Sequence, residues 1–192
     1  PYTGCVMAID PSGKGRDETA YCVTKFANGN IYLLDIGGFN AGYSEHTLSK
    51  LVDIAKKHKV NKILIEQNFG QGMFEALLKP YLIKQYPCTT EMVHQQSNKH
   101  RRILDTLEPI ISQHRLIVDK YVVKKDYEET NMLYPQETAL RYQLFYQLSR
   151  LQKEVHSLSQ DDRIDCLQVA CNYWVKHLSR DQELAMKMRK EE

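Results

Sequence analysis

Asn28-Gly29 stands between two runs built to be strands, and this junction constrains the fold more than any other feature. TAYCVTKF (Thr19 to Phe26) is rich in β-branched and aromatic residues, and IYLLDIGGF (Ile31 to Phe39) answers it. Asn-Gly accepts the left-handed backbone of a two-residue turn, so the two runs pair antiparallel. The compact apolar run CVMAID (Cys5 to Asp10) precedes them and supplies a buried first strand. After this meander the pattern changes. A helix is predicted from about Ser44 to Lys59, capped by Ser44, with Leu48, Leu51, Val52 and Ala55 on one face. KILIE (Lys62 to Glu66) is a short strand. A helix follows around Met73 to Gln85, where Pro80 should kink or divide it. Thr89 to Val93 is a fifth strand, and a helix runs from about Lys99 to Gln113 with Pro109 interrupting its bonding. An antiparallel start followed by helix–strand alternation calls for an α/β fold, a mixed five-stranded sheet with helices on both faces.

The rest of the chain reads less regularly. Leu116 to Lys125 resembles a small extra β-hairpin turning near Asp119-Lys120, an insertion at about 115–126. Glu128 to Gln136 looks irregular, and helices return at about Thr138 to Val155 and Asp161 to Leu178. One domain over 1–180 with a polar tail over 181–192 is expected, the tail fraying or linking onward. The 192 residues allow one sizeable core. No run approaches the roughly 18 apolar residues of a membrane span, and no secretory signal opens the chain. The start without Met is expected of a domain cut from a longer protein, or of a processed terminus. Five scattered cysteines without CxxC spacing argue against a disulfide framework or zinc and fit a reducing cytosol. Net charge is only +2, but Lys99 to Lys125 holds seven Lys/Arg against three Asp/Glu, and Asp126 to Asp162 reverses that balance. A basic face along Lys99, Arg101, Arg102, Lys120, Lys124 and Lys125 could follow a phosphate backbone, as could Lys14 and Arg16 in the PSGKG turn. A solvated helix face and hairpin would carry the same charges.

Candidate chemistry lies in carboxylates at element ends. Asp10 closes the first strand, Glu66 closes the fourth, and Asp162 and Asp165 share one face of the last helix at i, i+3 spacing. Alone, each has an ordinary role as turn former, strand-end charge or helix cap. Together they form a set that would repel itself unless a hard divalent cation compensated it. Mg²⁺ or Mn²⁺ suits such oxygens, and two ions about 4 Å apart can flank a phosphodiester. Asp10, between the others, is the natural bridging ligand. Asp165 is the first choice for the third ligand and Asp162 the second.

The residues IDPSGKGRDET, IYLLDIGGF, IEQNFGQGMF, DTLEPIISQHRL, YQLFYQLSR and DDRIDCL together resemble the C-terminal nuclease domain of phage terminase large subunits, of the DNA maturase B type in podovirus-like phages. The likeness extends from about Ala8 to Trp174. It implies an RNase H/RuvC-like fold and a two-metal-ion endonuclease that cuts concatemeric double-stranded viral DNA during packaging. Its acidic motifs fall on Asp10, on Glu66 and on the Asp161–Asp165 run. Many relatives carry His before the double Asp, where this chain has Gln160, so no role for that histidine carries over. The resemblance further implies the translocating ATPase domain, the small terminase subunit and the portal as partners, a monomeric isolated domain without ATPase activity, and action in the host cytoplasm. A RuvC-like resolvase or transposase core, an actin-like kinase lobe and a non-catalytic DNA-binding assembly module are the competing expectations. A kinase lobe would need a second lobe and a second phosphate loop, which the chain does not show.

Overall fold

Every residue of β1 (Cys5–Asp10) is buried, which places this strand inside the sheet. The computed structural model describes residues 4–12, 17–67, 72–95, 98–151 and 158–191, with side chains described through 178. β2 (Thr19–Ala27) pairs antiparallel with β1, and β3 (Asn30–Phe39) antiparallel with β2. The turn joining them carries Asn28 at φ 50° and Gly29 at φ 81°, the left-handed pair that Asn-Gly allows. β4 (Lys62–Glu66) lies parallel to β1, and β5 (Thr89–Val93) parallel to β4.

The sheet has six strands rather than the expected five, in the order β5-β4-β1-β2-β3-β6. The sixth, β6 (Leu116–Val118), is parallel to β3. It is the first arm of the expected hairpin; the second arm does not exist. Asp119 instead caps a helix, its side chain accepting from Tyr121 N–H at 2.7 Å, and α4 runs Lys120–Leu133. The supposedly irregular stretch after Glu128 is therefore mostly helical. The reason is visible in what α4 buries: Val122, Asp126 and Thr130, spaced i, i+4, i+8. Two of these three are polar, so the helix shows no apolar stripe in sequence.

The other helices are α1 (Glu45–Lys57), α2 (Met73–Gln85), α3 (Lys99–Ser112), α5 (Gln136–Tyr142), α6 (Leu144–Arg150) and α7 (Asp162–Glu191). Ser44 Oγ accepts from Thr47 N–H, the cap expected for α1. Pro80 stays inside an undivided α2, and Pro109 inside α3. The helix expected over Thr138 to Val155 is split by Gln143, whose extended backbone (ψ 127°) separates α5 from α6. The backbone of α7 continues through Glu191, into the stretch expected to fray or link onward. Among the described residues no helix is long and apolar enough to cross a membrane.

Alternation along the strands sorts the core into two layers. Val6 and Ala8 of β1 and Leu64 of β4 face the layer under α3 and α7. Cys5, Met7 and Ile9, with Ile63 and Ile65, face the layer under α1 and α2. Asp10 follows Ala8 by two and Glu66 follows Leu64 by two, and Ala8 pairs with Leu64 in register. Both carboxylates therefore emerge on the α3/α7 face at the same end of neighbouring parallel strands. Crevices at such strand ends are where open α/β sheets place their sites.

Candidate metal centre

Helix α7 brings the third carboxylate to that end. Its inward residues include Ile164, Leu167, Ala170, Cys171 and Trp174. Trp174 Nε1 donates to Thr24 Oγ1 at 2.9 Å, and Cys166 Sγ donates to the carbonyl of Ala8 at 3.1 Å. These contacts seat α7 across β1 and β2 and leave Asp165, only 1% exposed, against the strand ends. Asp10, Glu66 and Asp165 each offer an oxygen, and the three oxygens lie within 4.8 Å of one another. Glu66 Oε2 and Asp165 Oδ2 are buried and have no hydrogen-bond partner among the described residues. A buried carboxylate oxygen left so is costly, and one aimed into a cluster of like charge more so.

Two cations partly compensate. Arg102 Nη2 reaches Asp165 Oδ1 at 2.7 Å and Glu66 Oε1 at 3.3 Å. Lys99 Nζ lies 2.8 Å from Asp161 Oδ1 and 3.1 Å from Asp165 Oδ2, the latter a charge contact without hydrogen-bond alignment. Gln168, fully buried, holds the guanidinium in place: its Oε1 accepts from Arg102 Nε at 3.1 Å, and its Nε2 donates to Thr106 Oγ1 at 3.1 Å. Asp10, Asp161, Asp162, Asp165 and Glu66 still outnumber Lys99 and Arg102. Burial, and then the charge of Asp165, push Glu66 up to about 7. Burial opposes the charge on Lys99, but Asp165, Asp161 and Asp10 outweigh it and hold its pKa well above the ordinary lysine range. Asp10, Glu66 and Asp165 could hold a metal ion, and a donor set made only of oxygen suits a hard divalent cation.

Asp162 stands beside this group, not in it. Its Oδ2 accepts from the Glu18 backbone N–H at 3.3 Å. Burial, with Asp10 and Glu18 nearby, pushes its pKa up to about 8. Of the residues assigned to a basic face, Arg102 and Lys125 point inward. Arg102 is 11% exposed and spent on Glu66 and Asp165. Lys125 Nζ is bonded to Asp35, to Tyr21 Oη at 2.6 Å and to the Ile36 carbonyl at 2.9 Å. Lys99 lies against the acidic cluster, on Asp161 and Asp165. Arg101 is 83% exposed and pairs with Asp105, while Lys120 and Lys124 are exposed on α4, a helix and not a hairpin. Lys14 and Arg16 lie outside the described residues.

Sequence reasoning missed Glu18, Arg163 and Gln168. Arg163 sits among the largest fully buried side chains. Its Nε and Nη2 fork onto Glu18 at 2.6 and 3.2 Å, Nη1 reaches Asp126 Oδ1 at 2.8 Å, and Nη2 reaches Glu129 Oε1 at 2.9 Å. Tyr134 Oη donates to Glu18 Oε2 at 2.7 Å. A signal was available: Arg163, Leu167, Ala170 and Trp174 recur at helical spacing, so an arginine lies on the buried stripe. The Glu18 carboxylate occupies the space a side chain at Gly38 would need. Gly38→Ala should therefore force a pinned carboxylate aside and cost about 1–3 kcal/mol. Thermal melting against wild type checks this, and an unchanged midpoint would contradict it.

The fold and the acidic centre define a domain of the RNase H-like class. Residues 9–116 match the family model described as "Terminase Bacteriophage T7, Ribonuclease H-like domain", and the chain belongs to this terminase family. It is 40% identical over 172 residues to the large terminase subunit of Enterobacteria phage T3, covering 90% of this chain and 29% of that protein. The chain thus spans less than a third of that relative's length. Among solved structures, the Mn-soaked, inhibitor-bound human cytomegalovirus terminase nuclease domain superposes with TM-score 0.61 at 10% identity, covering 90% of this chain and 83% of that one. The nuclease domain of the large terminase subunit of bacterial virus Sf6 superposes with TM-score 0.56 at 12% identity, covering 88% and 87%. Both likenesses concern the fold, an RNase H-like terminase nuclease fold.

Proposed function

We propose that this chain is a metal-dependent endonuclease domain that hydrolyses phosphodiester bonds of double-stranded viral DNA, cutting concatemers during genome packaging. The observation that carries this reading is the meeting of Asp10, Glu66 and Asp165 with two buried oxygens that lack hydrogen-bond partners among the described residues. Asp10, Glu66 and Asp165 would hold Mg²⁺ or Mn²⁺, and Asp162, close enough to feel the charge of Asp10, would be the carboxylate available to a second ion. When bound, such ions polarise the phosphoryl group and supply an activated water at neutral pH. The chain's own residues fix the carboxylates on rigid strand and helix ends, exclude bulk water from Asp165, and keep Arg102 and Lys99 beside them. Lys99 and exposed Arg101, at the start of α3, meet the phosphate backbone, with Lys14, Arg16, Lys120 and Lys124 as further contacts. Membership in a terminase family supports partnership with an ATPase domain, a small terminase subunit and a portal, in the host cytoplasm.

Supercoiled plasmid should be nicked and then linearised with Mn²⁺ or Mg²⁺, and EDTA should stop the reaction. The pH dependence has a definite sign. Glu66, raised to about 7, holds its proton at pH 6, and an incoming ion must displace it. Metal affinity should therefore fall as pH drops through 7, about tenfold per unit for each displaced proton. Cleavage that survives EDTA, or the absence of cleavage with either ion between about pH 6 and 9, would refute the reading.

A further inference from the structure

The first turn of α7 carries both Asp162 and Asp165, and it is held from outside by helices that contribute nothing to the carboxylate trio. Arg163, between the two aspartates in sequence, is tied to Asp126 and Glu129 of α4 and forks onto Glu18. The backbone N–H of that same Glu18 donates to Asp162. One residue on, the N–H of Ile164 has no partner within its own helix turn and donates instead to Gln147 Oε1 of α6 at 3.0 Å. Gln147 is itself buried and fixed by a bond from its Nε2 to the Arg141 carbonyl at 3.0 Å. The helix start is thus clamped at consecutive residues, by a guanidinium on one side and an amide on the other.

We propose that Arg163 is a positioning residue for the metal centre: through Glu18, Asp126 and Glu129 it sets where the α7 carboxylates stand relative to Asp10. This rests on the metal-dependent reading given above. The geometry favours a positioning role over mere cohesion. Asp10 and Glu18 lie on either side of the β1–β2 connection, and Glu18 is the point where that connection, α7 and α4 meet. The guanidinium is planar and uses four of its N–H directions here, so it fixes orientation as well as distance. The carboxylates it gathers come from α4 and from the residue just before β2, so a shift of either would move Asp162 against Asp10. Groups that orient metal ligands in this way typically change affinity by about 10–100-fold when lost.

The test uses Mn²⁺ titration calorimetry at a temperature well below melting, on the whole chain, with plasmid cleavage alongside. Arg163→Lys keeps the charge but cannot span three carboxylates. It should bind Mn²⁺ about tenfold more weakly, and the half-saturating metal concentration for cleavage should move with it. Glu129→Gln removes one leg at a partly exposed position and should give a smaller shift in the same direction. It decides the matter if Arg163→Lys fails to fold. Mn²⁺ binding within about twofold of wild type in a folded variant, with only the melting temperature lowered, would overturn the inference, since cohesion alone moves melting and not affinity. Asp10→Asn serves as reference. If wild type and Asp10→Asn take up Mn²⁺ alike, the metal centre itself is misassigned and the inference falls with it. If only wild type takes it up, a flat response of the Arg163 and Glu129 variants overturns the inference alone.

Discussion

Asp10→Asn is expected to cut metal-dependent cleavage by about a thousandfold while leaving the metal-free protein as stable as wild type or more so. The rate loss follows from the position of Asp10. It ends the fully buried β1 and offers one of the three oxygens gathered within 4.8 Å. Asparagine keeps the shape and removes the charge. A divalent ion supplies several kcal/mol of transition-state charge stabilisation, and losing about 4 kcal/mol slows a reaction about a thousandfold. The stability expectation follows from the crowding. Asp10 is among the charges that push Asp162 up to about 8, so neutralising it relieves a repulsion. Melting in EDTA and in saturating Mn²⁺ separates the two effects. Wild type should gain about 2.7 kcal/mol when the ion stands at 100 times its dissociation constant, and Asp10→Asn should gain almost none. A variant that cleaves within tenfold of wild type and still gains stability from Mn²⁺ would sink the assignment of Asp10 as a ligand.

That Asp10 and Glu66 emerge on one face of the sheet has a physical cause. Strand parity is rigid, so a carboxylate two residues beyond a buried Ala8 or Leu64 must share its face, and the parallel register of β1 and β4 does the rest. Asn28-Gly29 was legible for a similar reason, since its turn geometry is local. What escaped reading was non-local. α4 buries Asp126 against an arginine more than thirty residues away and turns Thr130 onto its own backbone, so its inward face looks polar and its β-branched Val122-Val123 looks like a strand. Charge counting placed Arg102 and Lys125 on a basic surface, whereas folding spends them on Glu66, Asp165 and Asp35. Net charge along a sequence does not distinguish a cation facing solvent from one neutralising a buried carboxylate. The same blindness hid Arg163. Its helical spacing with Leu167 and Trp174 was a signal for burial that went unread, and only the fold supplies the three carboxylates that make the burial tolerable.

Arg163→Met gives the largest expected loss of stability in this chain, and the loss should depend on pH. Methionine roughly fills the volume, so packing is conserved and the change is mainly of charge. Glu18, Asp126 and, partly exposed, Glu129 are then left without the cation they share. Removing one partner of a buried charge cluster costs about 3–5 kcal/mol, or about 10 °C of melting temperature in a chain of this size. Burial already raises Asp126 with the arginine in place, and without it Asp126 should rise further. A carboxyl whose folded pKa exceeds its unfolded value binds more proton when folded, so stability falls as pH rises and recovers as pH falls. The deficit of Arg163→Met against wild type should therefore be greatest near pH 8 and shrink toward pH 5.5. Adding Asp126→Asn should recover more of it at pH 8 than at pH 5.5, because a raised carboxyl is more protonated at the lower pH. Denaturant melts of the four proteins at both pH values complete a double-mutant cycle. A deficit equal at both pH values, and unrelieved by Asp126→Asn, would mean that Arg163 stabilises the chain by its shape and not by balancing buried charge.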